Sequence, residues 1–548
     1  MAPHRSRWSA VLALFLTGAL VLAGCGGSSG THQAPAPSTT PSGTEPASKF
    51  GGELKIGVLA DVGNFNPLVS NSINDNWILD LMYPTLITMN EEGQKVPYFA
   101  TDWYYEDDGM KAVFKLRDDM QWDDGTPFTA ADVKYTAEIV QRDMIGLCGS
   151  MLTDVASVET PDDYTVVFNM TKPYGPFLTT LGYWLKIVPK HQWESVEKPA
   201  EYPNNTDLIG AGPFKLVKYE KGQYYELHRV EHFPLAPEGK AYLDKIFFRV
   251  YPDMNTAILA LKKGDIDAIA NPVPAASVHD LEGTPGITLS KTPSLGYTHM
   301  TYNTQNPHLA KAEVRRALIH ATNKEAIRQV VLLGNAIAIP TVVSPVLSEW
   351  YDDSIKDYEF DPDKAKELLT QAGYSDGNGD GFFDGLELSL IYDSGHANIS
   401  KWVTMVADDA AKAGIKINLQ GMERNTYLAK AQAREFDIYA GSWGVMDEPA
   451  DYFALLFNPD GYINYGNVDD PELTALIDKA RFTMDQDVVK EAVTAVQRYV
   501  ADKAYVNTLY VETYNVAYNT DRFEGYTVYP SDLLSYLHPL SLSQVHRK

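Results

Sequence analysis

Asp376, Asn378, Asp380, Gly381, Phe382, Asp384 and Glu387 follow the spacing D-x-[DN]-x-[DN]-G-x5-E of a loop that wraps calcium. The chemistry of such a loop is complete in principle. Asp376, Asn378 and Asp380 offer side-chain oxygens, Gly381 permits the sharp turn, Phe382 offers its carbonyl, Asp384 acts directly or through water, and Glu387 closes the cage bidentately. The alternation of Leu386 to Tyr392 then predicts a strand, so the pattern reads as a helix–loop–strand site with a structural calcium ion and not as a paired EF-hand. The same residue types also favour a plain surface turn, and that reading stands beside the first. A second metal-like pattern, His228-Arg229-Val230-Glu231-His232, has the H-x-x-E-H order of inverted zinc peptidases. It follows Gln223-Tyr224-Tyr225-Glu226-Leu227, a run of strand formers, and in a strand residues four apart lie roughly 13 Å from each other, too far to share one zinc.

Other catalytic signatures are missing. The sequence has no G-x-x-x-x-G-K-[ST] phosphate cradle, no G-x-S-x-G elbow and no H-E-x-x-H. No cofactor is required by anything in it, and no pair among its 72 acidic residues stands out as the two carboxylates of a glycosidase. With 46 basic residues against those 72, the net charge of −26 excludes a nucleic-acid binder that works through phosphate contacts. At 45% hydrophobic and 22% charged, the 548 residues are ordinary for a protein that buries a large core in water.

The first 25 residues carry an address. Arg5 and Arg7 precede an apolar run from Trp8 to about Leu20, and Leu22-Ala23-Gly24-Cys25 resembles a bacterial lipobox. Residues 1–24 are therefore expected to be a lipoprotein signal peptide, and Cys25 the site of lipidation. Residues 25–49, rich in Gly, Ser, Thr and Pro, are expected to form a flexible tether. Both features put the body outside the cytoplasm, held to the cell membrane by the lipid. Cys148, the second of only two cysteines, then has no partner in the chain.

Strand-like stretches such as Glu53 to Val58 and Thr165 to Phe168 alternate with helix-like ones such as Asp363 to Leu369 and Pro471 to Ala480, which reads as α/β. Thr129 with Asp132 forms a capping pattern, and Asp361-Pro362 sets an N-cap followed by proline at the first helical position. The segment Phe114 to Val133, containing Gln121-Trp122-Asp123-Asp124-Gly125-Thr126-Pro127-Phe128-Thr129, resembles the signature of the family 5 extracellular solute-binding proteins, the peptide and nickel receptors of ABC importers. Further blocks follow in family order: Gly210 to Leu216, Val314 to Leu318 running into Ala321 to Glu325, and Asp361 to Leu369 ending at Ala372-Gly373-Tyr374.

The resemblance implies a two-lobe periplasmic-binding-protein-like α/β fold with two hinge strands and an additional domain inserted in lobe one. Lobe one is expected over 50–85, 206–300 and 515–548, the inserted domain over 86–205, and lobe two over 301–514, with hinge crossings near Tyr297 to Tyr302 and Thr513 to Ala517. The implied role is capture of a solute, most often an oligopeptide, between closing lobes, and its delivery to an ABC permease and ATPase. An oligosaccharide or a metal chelate is the alternative cargo, a secreted hydrolase the alternative class, and a monomer without catalysis the expected state. Peptide-binding relatives carry Trp-x-x-Asp in lobe two, whose carboxylate takes the peptide ammonium. Here Trp443 matches, the acid position holds Met446, and Asp447 follows one place later. Either Asp447 takes the ammonium or the receptor does not read a free N-terminus. By position alone the resemblance adds Asn64, Phe65 and Asn66, then Tyr183, Trp184, Asn303 and Tyr514, as cleft candidates that serve equally well as core.

Overall fold

The computed structural model describes residues 48–70, 72–530 and 535–548, so the signal segment, Cys25 and most of the tether lie outside the described residues. The body from Ser48 onward is one compact unit. Its spine is a sheet of twelve strands that runs through both lobes. In lobe one, Glu53–Val58 pairs in parallel with Lys245–Val250 and with Ala268–Ile269, and antiparallel Tyr224–Arg229 and Phe214–Glu220 continue the sheet to its edge. Leu54, Ile56 and Val58 are almost fully buried, as expected of a strand inside a parallel sheet. In lobe two, Glu387–Asp393 lies parallel to both Lys416–Met422 and Ile438–Ser442, and Ile438–Ser442 pairs antiparallel with Thr298–Tyr302. The crossover helix Ala397–Lys412 buries Ile399, Trp402, Val403, Val406 and Ala410, a stripe at helical spacing that packs on this half of the sheet.

A single strand, Val506–Asn519, serves both lobes. Its first residues pair with Thr298–Tyr302 of lobe two, and its last with Ile287–Pro293 and Ala268–Ile269 of lobe one. The changeover falls at Ser294–Tyr297 on one crossing segment and at Val511–Glu512 on the other. Thr298–Tyr302 is already a strand of lobe two, and Thr513–Ala517 already pairs within lobe one. Both crossings thus lie a few residues N-terminal of their expected positions. The cause is local: Ser294 still donates to the Glu512 carbonyl at 2.9 Å, and the chain then bends at Leu295–Gly296, where the backbone passes against the loop that follows strand Ile438–Ser442.

The inserted domain is an antiparallel sheet ordered Ala100–Glu106, Lys111–Leu116, Thr165–Met170, Val155–Asp162, covered by helix Ala130–Arg142. The capping pattern read from the sequence is present, the Thr129 amide donating to Asp132 Oδ2 at 2.9 Å. Asp361 likewise caps helix Pro362–Gln371 by accepting from the Lys364 amide. Two pieces of this side of the molecule reach lobe two. One is the hairpin of Ile87–Met89 and Lys95–Pro97, whose Met89 packs into a lobe-two apolar cluster with Phe453 and Met446. The other is helix Phe177–Trp184, preceded by Tyr174 and Gly175.

Gly296 is the tightest point of the hinge. A Cβ there would collide with the carbonyl oxygens of Trp443 and Gly444, both backbone atoms that cannot swing away. Gly296→Ala is therefore expected to lower stability by about 1–3 kcal/mol and to loosen the Trp443–Asp447 loop, which urea denaturation and amide exchange of that loop measure.

Candidate functional site

Three acids crowd the start of one lobe-two helix. Pro449 opens helix Pro449–Phe457, Glu448 is its N-cap, Asp447 precedes it and Asp451 sits in its first turn. Proline suits the first helical position and the positive end of the helix favours carboxylates, so local physics places acids here. Burial is the unusual part. Asp447 is 2% exposed and Glu448 7%, because the hairpin and the helix of the facing lobe cover them.

Each acid meets a donor from across the cleft. Lys95, on the hairpin, forms an ion pair with Asp447 Oδ2, and its ammonium stands 3.4 Å from the ring centroid of Tyr183. Thr179 donates to Glu448 Oε2 at 2.8 Å. Asp451 accepts from the Tyr174 hydroxyl on one oxygen and from Thr180, at 3.3 Å, on the other. Arg481, from helix Pro471–Phe482, stands 3.5 Å from Asp451, and its carbonyl accepts from the Gly175 amide at 2.7 Å. A deeper pair, Lys186 with Asp80 at 2.9 Å, lies behind Trp184 on the lobe-one side. Burial raises the Asp80 and Asp451 carboxyls above their ordinary range, and it pushes Glu448 up to about 8, with the neighbouring Asp451 charge acting in the same direction. Glu448 is therefore mostly a neutral acid at neutral pH.

Open space adjoins these groups. A cavity of about 410 Å³ is lined by Asp447, Glu448, Asp451, Tyr174, Thr180 and Trp184. A second, of about 270 Å³, runs past Trp184 to Lys186, Asn76, Cys148 and Val445. Trp184 forms a wall of both. A larger depression, about 900 Å³, lies along the outer face of helix Gln486–Lys503, among Asp487, Lys490, Glu491 and Arg498, remote from the cleft. The Cys148 thiol is pushed up to about 12 by burial, so it stays protonated at neutral pH.

Tyr183, Trp184 and Asp447 are thus brought together, and the one-residue offset of the acid has a plain cause. Met446 is buried in the lobe-two cluster with Phe453 and Leu456, which turns the next side chain, Asp447, toward the cleft. Trp443 instead stacks on His299 at 5.2 Å and on Tyr439 and Tyr465 as part of the lobe-two wall, and it lines neither cavity. Asn66 ties two segments of its own side of the molecule together, donating to the carbonyls of Pro199 and Tyr202 at 2.7 and 2.9 Å. Phe65 is buried against Tyr219, and Asn64 accepts from the Asn66 amide. Asn303 is buried within lobe two, donating to Phe436 and accepting from Asn467. Tyr514 lies opposite Thr292 in the lobe-one half of the shared strand. Sequence reasoning missed Lys95, Thr179, Thr180, Tyr174 and Arg481. Asp447, Glu448 and Asp451 around Pro449 were a usable signal, since acids at a helix start attract partners, but nothing in the spacing points to those partners.

The Asp/Gly loop closes on its own backbone. Asp376 accepts from the amides of Gly379, Asp380 and Gly381, Asp380 from Phe382, and Asp384 from Gly377. Asn378 donates to Asp380. Glu387 opens the strand Glu387–Asp393 in register with Lys416, and its carboxylate is held by Lys416 at 3.1 Å and by Asn418. Among the described residues no three His, Cys, Asp or Glu side chains are grouped to hold a metal ion. His228 lies in the strand Tyr224–Arg229 beside Glu226, whereas His232 contacts the carbonyl of Asp119.

The raised Glu448 carboxyl has a pH signature. Below its ordinary value of 4.5 it is protonated both folded and unfolded, and between there and about 8 only the folded form keeps the proton. Its contribution is therefore complete at the acid end and is lost as pH rises through that window. Glu448→Gln, neutral at every pH and still able to bond Thr179, is expected to melt with a flatter pH dependence than the parent between pH 5 and 9, measured by calorimetry.

Residues 94–464 match the family described as bacterial extracellular solute-binding proteins, family 5 Middle. The chain is 26% identical over 537 residues to the oligopeptide-binding protein AppA of Bacillus subtilis (strain 168), covering 95% of this chain and 96% of that protein. It is 28% identical over 434 residues to the dipeptide-binding protein of Escherichia coli (strain K12), covering 75% and 79% of the two. Among solved structures, the ABC transporter substrate-binding protein CtaP of Listeria monocytogenes superposes with a TM-score of 0.79 at 25% identity, over 91% of this chain and 99% of that one. The family match spans well over half of the chain, and the chain belongs to the bacterial extracellular solute-binding proteins, family 5.

Proposed function

We propose that this protein is an extracytoplasmic lipoprotein that captures an oligopeptide between its lobes and delivers it to the permease and ATPase of an ABC importer, acting as a monomer and without catalysis. The observation that carries this reading is the row Asp447, Glu448 and Asp451, set across a cavity-bearing cleft from Lys95, Thr179 and Tyr174 of the facing side. Such a cleft buries polar donors and acceptors suited to a peptide main chain, and the hinge at Ser294–Tyr297 lets the two faces part and meet. The names of the AppA and E. coli relatives, oligopeptide-binding and dipeptide-binding, support the same cargo. The absence of a phosphate cradle in the sequence leaves ATP hydrolysis to a separate subunit.

Native mass spectrometry of protein purified from a peptide-rich culture, followed by release and sequencing of what co-purifies, is expected to give a ladder of short peptides. A sugar or a metal chelate in their place would move the assignment to the alternative cargo, and turnover of any bound ligand would move it to an enzyme. Among the described residues no helix is long and apolar enough to cross a membrane. The lipobox-like Leu22-Ala23-Gly24-Cys25 supports attachment through lipid on Cys25, and Cys25→Ala is expected to shift the protein from the membrane fraction to the soluble one. Structural calcium at Asp376, Asn378, Asp380, Phe382, Asp384 and Glu387 is a separate proposal resting on the sequence pattern. It requires Glu387 to leave Lys416 and turn inward, and calorimetry without heat uptake at millimolar calcium removes it.

A further inference from the structure

The two oxygens of Asp447 have different surroundings. Oδ2 is paired with Lys95, whose ammonium is also held over the ring of Tyr183. Oδ1 is buried and has no hydrogen-bond partner among the described residues, while Asp447 lines the 410 Å³ cavity. A buried acceptor left open in a cavity wall calls for a donor from outside the chain, because an unsatisfied polar atom out of water is costly.

The surroundings restrict what that donor is. Glu448 accepts from Thr179, and its carboxyl is held protonated by burial. Asp451 is engaged on both oxygens by Tyr174 and Thr180 and faces Arg481. Asp80 is paired with Lys186. The Asp447 charge is itself balanced by Lys95; of the other acids lining the cavity, Asp154 is paired with Lys172 at 3.1 Å and Asp460 is exposed to water, so among the buried acids of the cavity no uncommitted negative charge remains. An ammonium at Oδ1 would share one carboxylate, itself only 2% exposed, with the Lys95 ammonium, placing two like charges side by side. A neutral N–H completes Oδ1 without adding charge.

We propose that Lys95 is a specificity-determining residue: by supplying the counter-charge to Asp447 from the facing lobe, it leaves the subsite to a neutral N–H donor, so that the cleft takes peptides whose amino terminus is acylated in preference to those with a free ammonium. This rests on the peptide reading of the same site. The test is a competition between a tetrapeptide pool and its N-acetylated counterpart for the full chain in detergent, with bound species counted by mass spectrometry. The parent protein is expected to favour the acetylated pool at least tenfold. Lys95→Met, which frees the Asp447 charge, is expected to move the ratio at least tenfold toward free amino termini, and Lys95→Arg to keep the parental ratio, which controls for loss of fold. A parent protein that favours free amino termini, or a ratio unchanged in Lys95→Met, overturns the proposal and leaves the peptide reading standing. Failure of both pools to bind either protein overturns the peptide reading and the proposal with it.

Discussion

Carboxylates withdrawn from water between two lobes dominate this structure. A buried acid must be met by a cation, by hydrogen-bond donors or by a proton, and removing one member of a buried ion pair costs about 3–5 kcal/mol. Asp447, Glu448 and Asp451 show all three solutions within one helix start: an ammonium for the first, a proton and a hydroxyl for the second, two hydroxyls and a guanidinium for the third. Every one of these partners except Arg481 comes from the facing side of the cleft. The acids that line the cleft cavity and the acids that join the lobes are therefore the same residues.

The scaffold makes those contacts reproducible. A sheet continuous through both lobes leaves little freedom except where a strand bends from one lobe to the other, and the bend at Leu295–Gly296 lies beside the loop that carries Asp447. The Trp443 amide donates to the Tyr297 carbonyl at 3.0 Å, so a change in the hinge is felt directly at the acidic loop. On the opposite side, the short hairpin that presents Lys95 is anchored by Met89 in the lobe-two cluster. Apolar burial sets the approach of the two faces, and polar matching selects the register in which they stop.

Much of this was legible in the sequence because it is local. The caps at Thr129 and Asp361, the strands Glu53–Val58 and Glu387–Asp393 and the helix after Asp470 follow from spacing within a few residues. The acid of the cleft was legible only by resemblance, and its offset became intelligible once Met446 was seen in the core, a fact about packing that no local pattern carries. Asn66 and Asn303, cleft candidates by resemblance that served equally well as core, each spend the amide on backbone carbonyls about 130 residues away in the chain, as buried asparagines commonly must. Lys95 escaped notice because its partner is 352 residues distant, and one lysine among the chain's 46 basic residues has no distinguishing neighbours in the sequence.

The strand Val506–Asn519 has a consequence for the order in which the molecule assembles. It occupies the middle of the spine, between Thr298–Tyr302 and Ala268–Ile269, yet it is made almost last. Until it is available, both half-sheets present an unpaired edge, and the nascent chain holds two incomplete cores instead of one finished lobe and one unfinished. Pairings separated by some 200 residues or more close slowly, because loop entropy is lost before contacts repay it. Folding of the two lobes is then coupled through one late segment, and a chain cut short before residue 506 has no route to either of them.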